Sequence, residues 1–157
     1  MTNYATPGSA DPRNIGLYLI DPVKFPKKKP SIGKMFVADY QTSGVQTAIK
    51  NYRNLRRTAR ESWDFDESEL NSVAYWLPGR GSIEDAVTVF RLNVEVYPAS
   101  PNAYDSLGDG YRRANRMKEA IEAYRKAVAL AEKTNHPNLG LYRQSLDDAI
   151  RQTNLPK

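Results

Sequence analysis

The chain has 157 residues, 40% hydrophobic and 26% charged, which is enough for one modest domain and too apolar for wholesale disorder. It contains no cysteine, which excludes disulfides and thiolate metal sites, and its 23 basic against 18 acidic residues leave a net charge of +5, a mild bias toward anionic partners. Apolar runs such as Ile15 to Ile20 fall far short of the roughly 20 residues a membrane-spanning helix needs, and Met1 opens a polar segment, so the chain as written reads as soluble and cytoplasmic.

Residues 1–30 hold Pro7, Pro12, Pro22, Pro26 and Pro30, which rule out long helix interiors. They read as an extended or partly ordered segment, with one helical turn or a short strand at Ile15 to Ile20. From Ser31 the period changes, and residues 31–157 read as one helical repeat domain. Ser31 to Gln41 predict a short helix, Thr42-Ser43-Gly44 turn the chain, and Val45, Ala48, Ile49, Tyr52 and Leu55 form an apolar stripe at helical spacing, completing a hairpin. Asp66 with Glu69 is a capping-box pattern that opens a helix through Leu70, Val73, Ala74 and Leu77, ended by Pro78-Gly79. Ser82 caps a helix from Ile83 to Tyr97 with Ala86, Val87, Phe90 and Val94 on one face, and Pro98 closes it. Ser100-Pro101 starts the next pair, because proline at the first helical position gives up a hydrogen bond that was never available. Leu139, Tyr142, Leu146 and Ile150 predict a last amphipathic helix that closes the stack.

Two of these hairpins are copies of each other. Leu70 matches Tyr104, Val73 matches Leu107, Ala74 matches Gly108, Leu77 matches Tyr111, Ala86 matches Ala120 and Phe90 matches Tyr124, every pair at one and the same offset along the chain. Small residues at Gly108 and Ala120 let two helices approach, and large ones at Tyr104, Leu107, Tyr111 and Tyr124 fill the space around the crossing. Ala48 and Tyr52 precede Ala86 and Phe90 by a slightly longer offset, so a first copy needs an insertion of four.

In order, Tyr104, Leu107-Gly108, Tyr111, Ala120, Tyr124 and Ala127 resemble the tetratricopeptide repeat. Residues 67–100 match less fully: Ala86, Phe90 and Pro98 fit, whereas Ala74 stands for the glycine and Asn93 for the last alanine. The resemblance implies an all-α solenoid of about three helical hairpins plus a capping helix, with an irregular N-terminal segment. It also implies a concave groove lined by the first helix of each pair, which binds a protein or peptide without catalysis. The groove residues it implies are Asn71 and Tyr75 on one hairpin and Asn102, Asp105, Asp109, Arg112 and Arg113 on the next. Peptide-binding members of the family hold a C-terminal carboxylate with lysines and asparagines from such places. Here Asp105 and Asp109 stand there and would repel it.

A narrower resemblance concerns "TNYATPGSADPRNIGLYLID" followed by "FPKKKPSIGKMF", which looks like the junction between a beta-lactamase-like serine hydrolase and a C-terminal repeat domain. It implies an accessory domain, a hydrolase domain as partner, and a periplasmic address if that hydrolase is exported. Self-association through residues 1–30 is the other partner it leaves open, since Ile15, Leu17, Leu19 and Ile20 need something apolar to cover.

No catalytic constellation emerges. Ser31-Ile-Gly-Lys34 fits S-x-x-K, Tyr52-Arg-Asn54 fits Y-x-N and Lys133-Thr-Asn135 half-fits K-T-G, but no series of strands exists to carry an oxyanion hole. Ser31 reads as a helix cap and Tyr52 as core. His136 lacks cysteine or acidic neighbours at ligand spacing, so neither metal nor cofactor is expected. Lys50, Arg53, Arg57 and Arg60 are spaced to share one helix face, and Lys27 to Lys29 form a basic run, which opens nucleic acid as a rival partner. Against it, the tyrosines that would stack on bases are used by the repeat.

Overall fold

The computed structural model describes residues 28–79 and 82–154, which form six α-helices. They are α1 (Ile32–Thr58), α2 (Glu67–Trp76), α3 (Ile83–Val96), α4 (Pro101–Arg113), α5 (Met117–Lys133) and α6 (Leu139–Asn154). No helix among the described residues is long and apolar enough to cross a membrane. The expectations placed on residues 1–27 lie outside the described residues.

Helix α1 is two limbs folded on each other. Gly44 adopts φ 78°, ψ 174°, a conformation nearly closed to any other residue, and breaks the helical path between residues 32–43 and 45–58. Twelve residues along a straight helix span about 18 Å, yet Asn51 Nδ2 donates to Asp39 Oδ2 at 2.9 Å. Phe36 and Tyr52 likewise meet edge to face, 6.4 Å between ring centres. The expected turn at Thr42-Ser43-Gly44 therefore makes the first hairpin. Helices α2 and α3 make the second, α4 and α5 the third, and α6 packs on α5 as the closing helix. The described residues thus form an all-α helical repeat of three hairpins and a closing helix.

The helix ends follow from side-chain chemistry. Ser31, Ser82 and Ser100 accept from the backbone N–H of Lys34, Asp85 and Ala103 at 3.1, 3.1 and 3.2 Å, each three residues on. Helices α4 and α5 stop on left-handed asparagines, Asn115 at φ 57° and Asn135 at φ 49°. In both, the next N–H reaches back over the turn: Arg116 to the Tyr111 carbonyl and His136 to that of Ala131, each at 2.9 Å.

Two expectations need correction. The capping box at α2 is only half formed. Asp66 accepts from Ser68 N at 2.9 Å, but Glu69 turns outward to α1, accepting from Ser31 Oγ and, at 2.9 Å, from Gly33 N. A carboxylate beside the donors at an α1 start gains more there than by reaching back to Asp66, whose N–H is already taken by Asp64 Oδ1. Arg60 does not share the helix face of Lys50, Arg53 and Arg57. The helix ends at Thr58, Ala59 leaves helical geometry at φ −141°, and Arg60 opens a separate 3-10 turn, Arg60–Ser62.

Close approach explains both glycines of α4. A β-carbon on Gly108 would stand 2.5 to 2.8 Å from three ring atoms of Tyr124 on α5, the partner within its own hairpin. One on Gly110 would stand 2.7 Å from Cδ2 of Phe90 on α3, in the preceding hairpin. Gly108 admits the ring inside the repeat and Gly110 the ring between repeats. Ala48, Ala86 and Ala120, the small residue of each second helix, are wholly buried, as are Tyr52, Phe90 and Tyr124 to within 1%. The two sequence offsets thus describe one packing used three times.

Candidate functional site

The first helices of the hairpins, namely the first limb of α1, then α2 and α4, follow one another in order, with α1 packed against α2 and α2 against α4. At the seam of α2 and α4 the pattern residues are locked to one another. Asp109 accepts from the Tyr124 hydroxyl at 2.7 Å, the Tyr75 hydroxyl at 3.0 Å and Arg112 Nη2 at 3.1 Å. Tyr75 also packs edge to face on Phe90, 4.9 Å between centres, and the guanidinium of Arg113 lies 5.6 Å over its ring. Burial pushes the Tyr75 hydroxyl up to about 12, with the Asp109 charge adding to the effect and a hydrogen bond with Ser106 opposing it. Tyr124 is raised for the same leading reason, desolvation, reinforced by its bond to Asp109.

Four of the seven residues expected to line the groove, Tyr75, Asp109, Arg112 and Arg113, therefore form one self-satisfied cluster. Asn102 stands apart, its Nδ2 donating to Glu67 Oε1 at 2.8 Å. Asp105 sits half-buried beside α6. Burial raises its carboxyl to about 6, opposed by a hydrogen bond with Ser145 and helped by the neighbouring Asp109 charge. Asn71 is its counterpart one repeat earlier, and Oδ1 of each is buried without a hydrogen-bond partner among the described residues.

One seam earlier the packing opens. Between the first limb of α1 and α2 lies a cavity of about 360 Å³ lined by Ser31, Gly33, Lys34, Val37, Glu69, Ser72, Val73 and Trp76. Val37, Val73 and Trp76 make it apolar, and Tyr40 holds the Trp76 ring edge to face, 6.3 Å away. Tyr40 is fixed in turn by its hydroxyl donating to Asp85 at 3.1 Å. Sequence reasoning missed Lys34, Val37, Ser72 and Trp76. The signal was present: carrying the groove positions back by the longer offset, the one that links Ala86 to Ala48, takes Tyr75 to Val37 and Asn71 to Gly33.

Around the start of α1 a wider space of about 670 Å³ is lined by Lys28, Lys29, Pro30, Ser31, Lys34, Met35, Trp63, Asp64 and Glu69. On the second limb of α1, Arg53 pairs with Glu95 at 2.6 Å and Arg57 bonds Asn54 at 3.1 Å. Ser31 caps α1, Tyr52 is core, and His136 accepts from Asn138 N at 3.1 Å in the turn before α6, so each motif fragment has a structural employment.

No family model matches the chain, and no curated protein matches it. Among solved structures it is similar to "MamA 41-end from Desulfovibrio magneticus RS-1", with 19% identity, TM-score 0.41, and coverage of 92% of this chain and 88% of that one. It is also similar to "MamA RS-1 ArsTM double mutant", with 18% identity, TM-score 0.40, and coverage of 78% and 75%. A likeness this distant says nothing about binding, and the repeat architecture stands on the chain's own internal register. The beta-lactamase-like association, carried mostly by residues outside the described ones, gains no support from these comparisons.

Proposed function

We propose that the protein is a non-catalytic module that binds an extended polypeptide segment in its concave groove, anchored between the first limb of α1 and α2. The observation that carries this reading is the apolar cavity of Val37, Val73 and Trp76, about 360 Å³, set among the polar groups of Lys34, Glu69 and Ser72. A cavity that size suits one or two apolar side chains, with the rim polar groups setting orientation. Trp76 is the natural anchor, since aromatic residues dominate binding energy at such sites. Farther along, Asn71, Asn102 and Asp105 offer amide and carboxylate groups, while the charge of Asp109 is taken up by Arg112; Asp105 disfavours a free C-terminal carboxylate there, so an internal segment fits better.

The test is a library of short peptides displayed against the full chain, with selected peptides titrated calorimetrically. Trp76→Ala and Val37→Arg are each expected to weaken binding at least about tenfold, while Arg53→Ala, on the other face, leaves it unchanged. Peptides that bind equally to all three variants would show that the groove is not the site.

A further inference from the structure

We propose that the second limb of α1 and the end of α3 form a binding site for a phosphomonoester group, with Arg56 and Arg57 as its anion ligands. The site lies on the second helices of the first two hairpins and is independent of the groove between the first limb of α1 and α2.

The cavity there measures about 300 Å³ and is lined by Tyr52, Arg53, Arg56, Arg57, Glu95 and Val96. Its charges are unevenly matched. Glu95, the one carboxylate in the lining, is held by Arg53 at 2.6 Å, so that pair neutralises itself. Arg57 has an uncharged partner, donating from Nη2 to Asn54 Oδ1 at 3.1 Å. Arg56 makes no ion pair among the described residues, and its Nε is buried without a hydrogen-bond partner there. Two guanidiniums are thus left uncompensated in one cavity.

Arg56 is held by rings rather than by a carboxylate. Its guanidinium lies 6.0 Å from the centre of the Tyr97 ring, and Tyr97 is fixed by its hydroxyl donating to the Phe65 carbonyl. Burial raises the hydroxyls of both Tyr52 and Tyr97, and the Arg56 charge opposes the rise in each. The cation therefore stands beside two tyrosines, where water screens it less than at an open surface. Keeping a charge there without a counter-ion is unfavourable, and an anion entering the cavity offsets part of that penalty. Tyr52 adds a donor, since its hydroxyl has no hydrogen-bond partner among the described residues although the residue is 1% exposed.

The charge selects the ligand. Beyond the neutral pair of Arg53 and Glu95, the cavity presents the two positive charges of Arg56 and Arg57. A phosphomonoester carries about 1.5 to 2 negative charges near pH 7 and three acceptor oxygens that suit guanidinium forks. A carboxylate or a phosphodiester carries a single charge and matches less well. A polynucleotide also needs aromatic faces free for stacking, whereas Tyr52 is core.

The experiment titrates phenyl phosphate calorimetrically against the full chain at low ionic strength. Binding is expected at pH 7.5 and to be about fivefold weaker at pH 5, where the phosphate has taken up its second proton. Arg56→Gln and Arg57→Gln are each expected to lower affinity at least about tenfold, whereas Arg91→Gln, which removes an equal charge outside the cavity, changes it less than about twofold. Should Arg56→Gln lose helicity, Arg57→Gln, exposed on its helix, carries the test. A phosphoserine peptide binding at least about tenfold tighter than phenyl phosphate assigns the group to a modified protein, and equal affinities assign it to a small molecule; both uphold the site. Absence of binding overturns the proposal. So do equal losses in all three arginine variants, which would mean a diffuse basic field, and equal affinity for methyl phenyl phosphate, the monoanionic diester. An oligonucleotide that binds through Arg56 and Arg57 where phenyl phosphate does not would overturn it in favour of nucleic acid. Groove peptides that still bind while phenyl phosphate fails would sink this site alone.

Discussion

The seam between α2 and α4 is shut, and the seam between α1 and α2 is open, although one repeat register builds both. At the shut seam, Tyr75 and Asp109 hold equivalent positions 34 residues apart and bond to each other at 3.0 Å. At the open seam the equivalent of Tyr75 is Val37, which has no polar atom to offer. Among the described residues, Glu69 ties the open seam to Ser31 and Gly33 at one end, and the edge-to-face pair of Tyr40 and Trp76 packs across it at the other. Repeat proteins gain stability by satisfying one seam and gain a binding surface by leaving another unsatisfied.

The largest expected effect lies at the shut seam. Gly108→Val places a branched side chain against a ring that has no room to leave, because Tyr124 is packed on one side and bonded through its hydroxyl to Asp109 on the other. A loss of about 3 kcal/mol in urea denaturation is expected. A loss below about 1 kcal/mol would mean that close packing does not hold this seam.

Asp109→Ala strands two tyrosine hydroxyls and is expected to cost about 2 kcal/mol. It also moves the Tyr75 hydroxyl down from about 12 toward its ordinary range, readable by ultraviolet titration. Burial is the leading cause of that elevation, so part of it remains.

Asp105 supplies a pH test. Its carboxyl, raised to about 6 by burial from an ordinary 3.8, holds a proton in the folded state over a window where the unfolded chain has lost it. Folded protein then binds more protons than unfolded, so this group's contribution to stability falls as pH rises from about 4 to about 6 and stays low above. Asp105→Asn removes the buried charge. It is expected to stabilise by about 1 kcal/mol at pH 8, after allowance for solvent screening, and by nothing at pH 4. Equal effects at the two pH values would refute the assignment.

The smallest effect sharpens the comparison between second and third hairpins. Asn93 stands where Ala127 stands one repeat later, and it is 0% exposed with neither amide atom bonded among the described residues. Asn93→Leu, nearly the same shape without the orphaned polar atoms, is expected to gain about 1 kcal/mol in thermal or urea unfolding. A loss would reveal a partner for that amide.

Much of this was legible because it is local or periodic. Ser31, Ser82 and Ser100 announce their helices by the geometry of one side chain, and Gly108 with Tyr124 announces a crossing by the contrast of sizes. Arg60 was misplaced because spacing alone cannot see a helix stop that lacks glycine or proline. Glu69 was misassigned because its competing partners, Gly33 and Ser31, lie 36 and 38 residues away. The groove residues expected from the sequence lie at the seam where the pattern is clearest, and there the structure bonds Tyr75 to Asp109 across hairpins, which spacing alone cannot foresee.

The amino-acid sequence by itself determined the hairpins, their register and the absence of a thiol, since these follow from short-range sterics, side-chain size and composition. Only the tertiary structure decided which seam closes. That choice depends on whether side chains from different hairpins satisfy each other, and a valine in place of a tyrosine acquires that meaning only when α1 and α2 stand side by side.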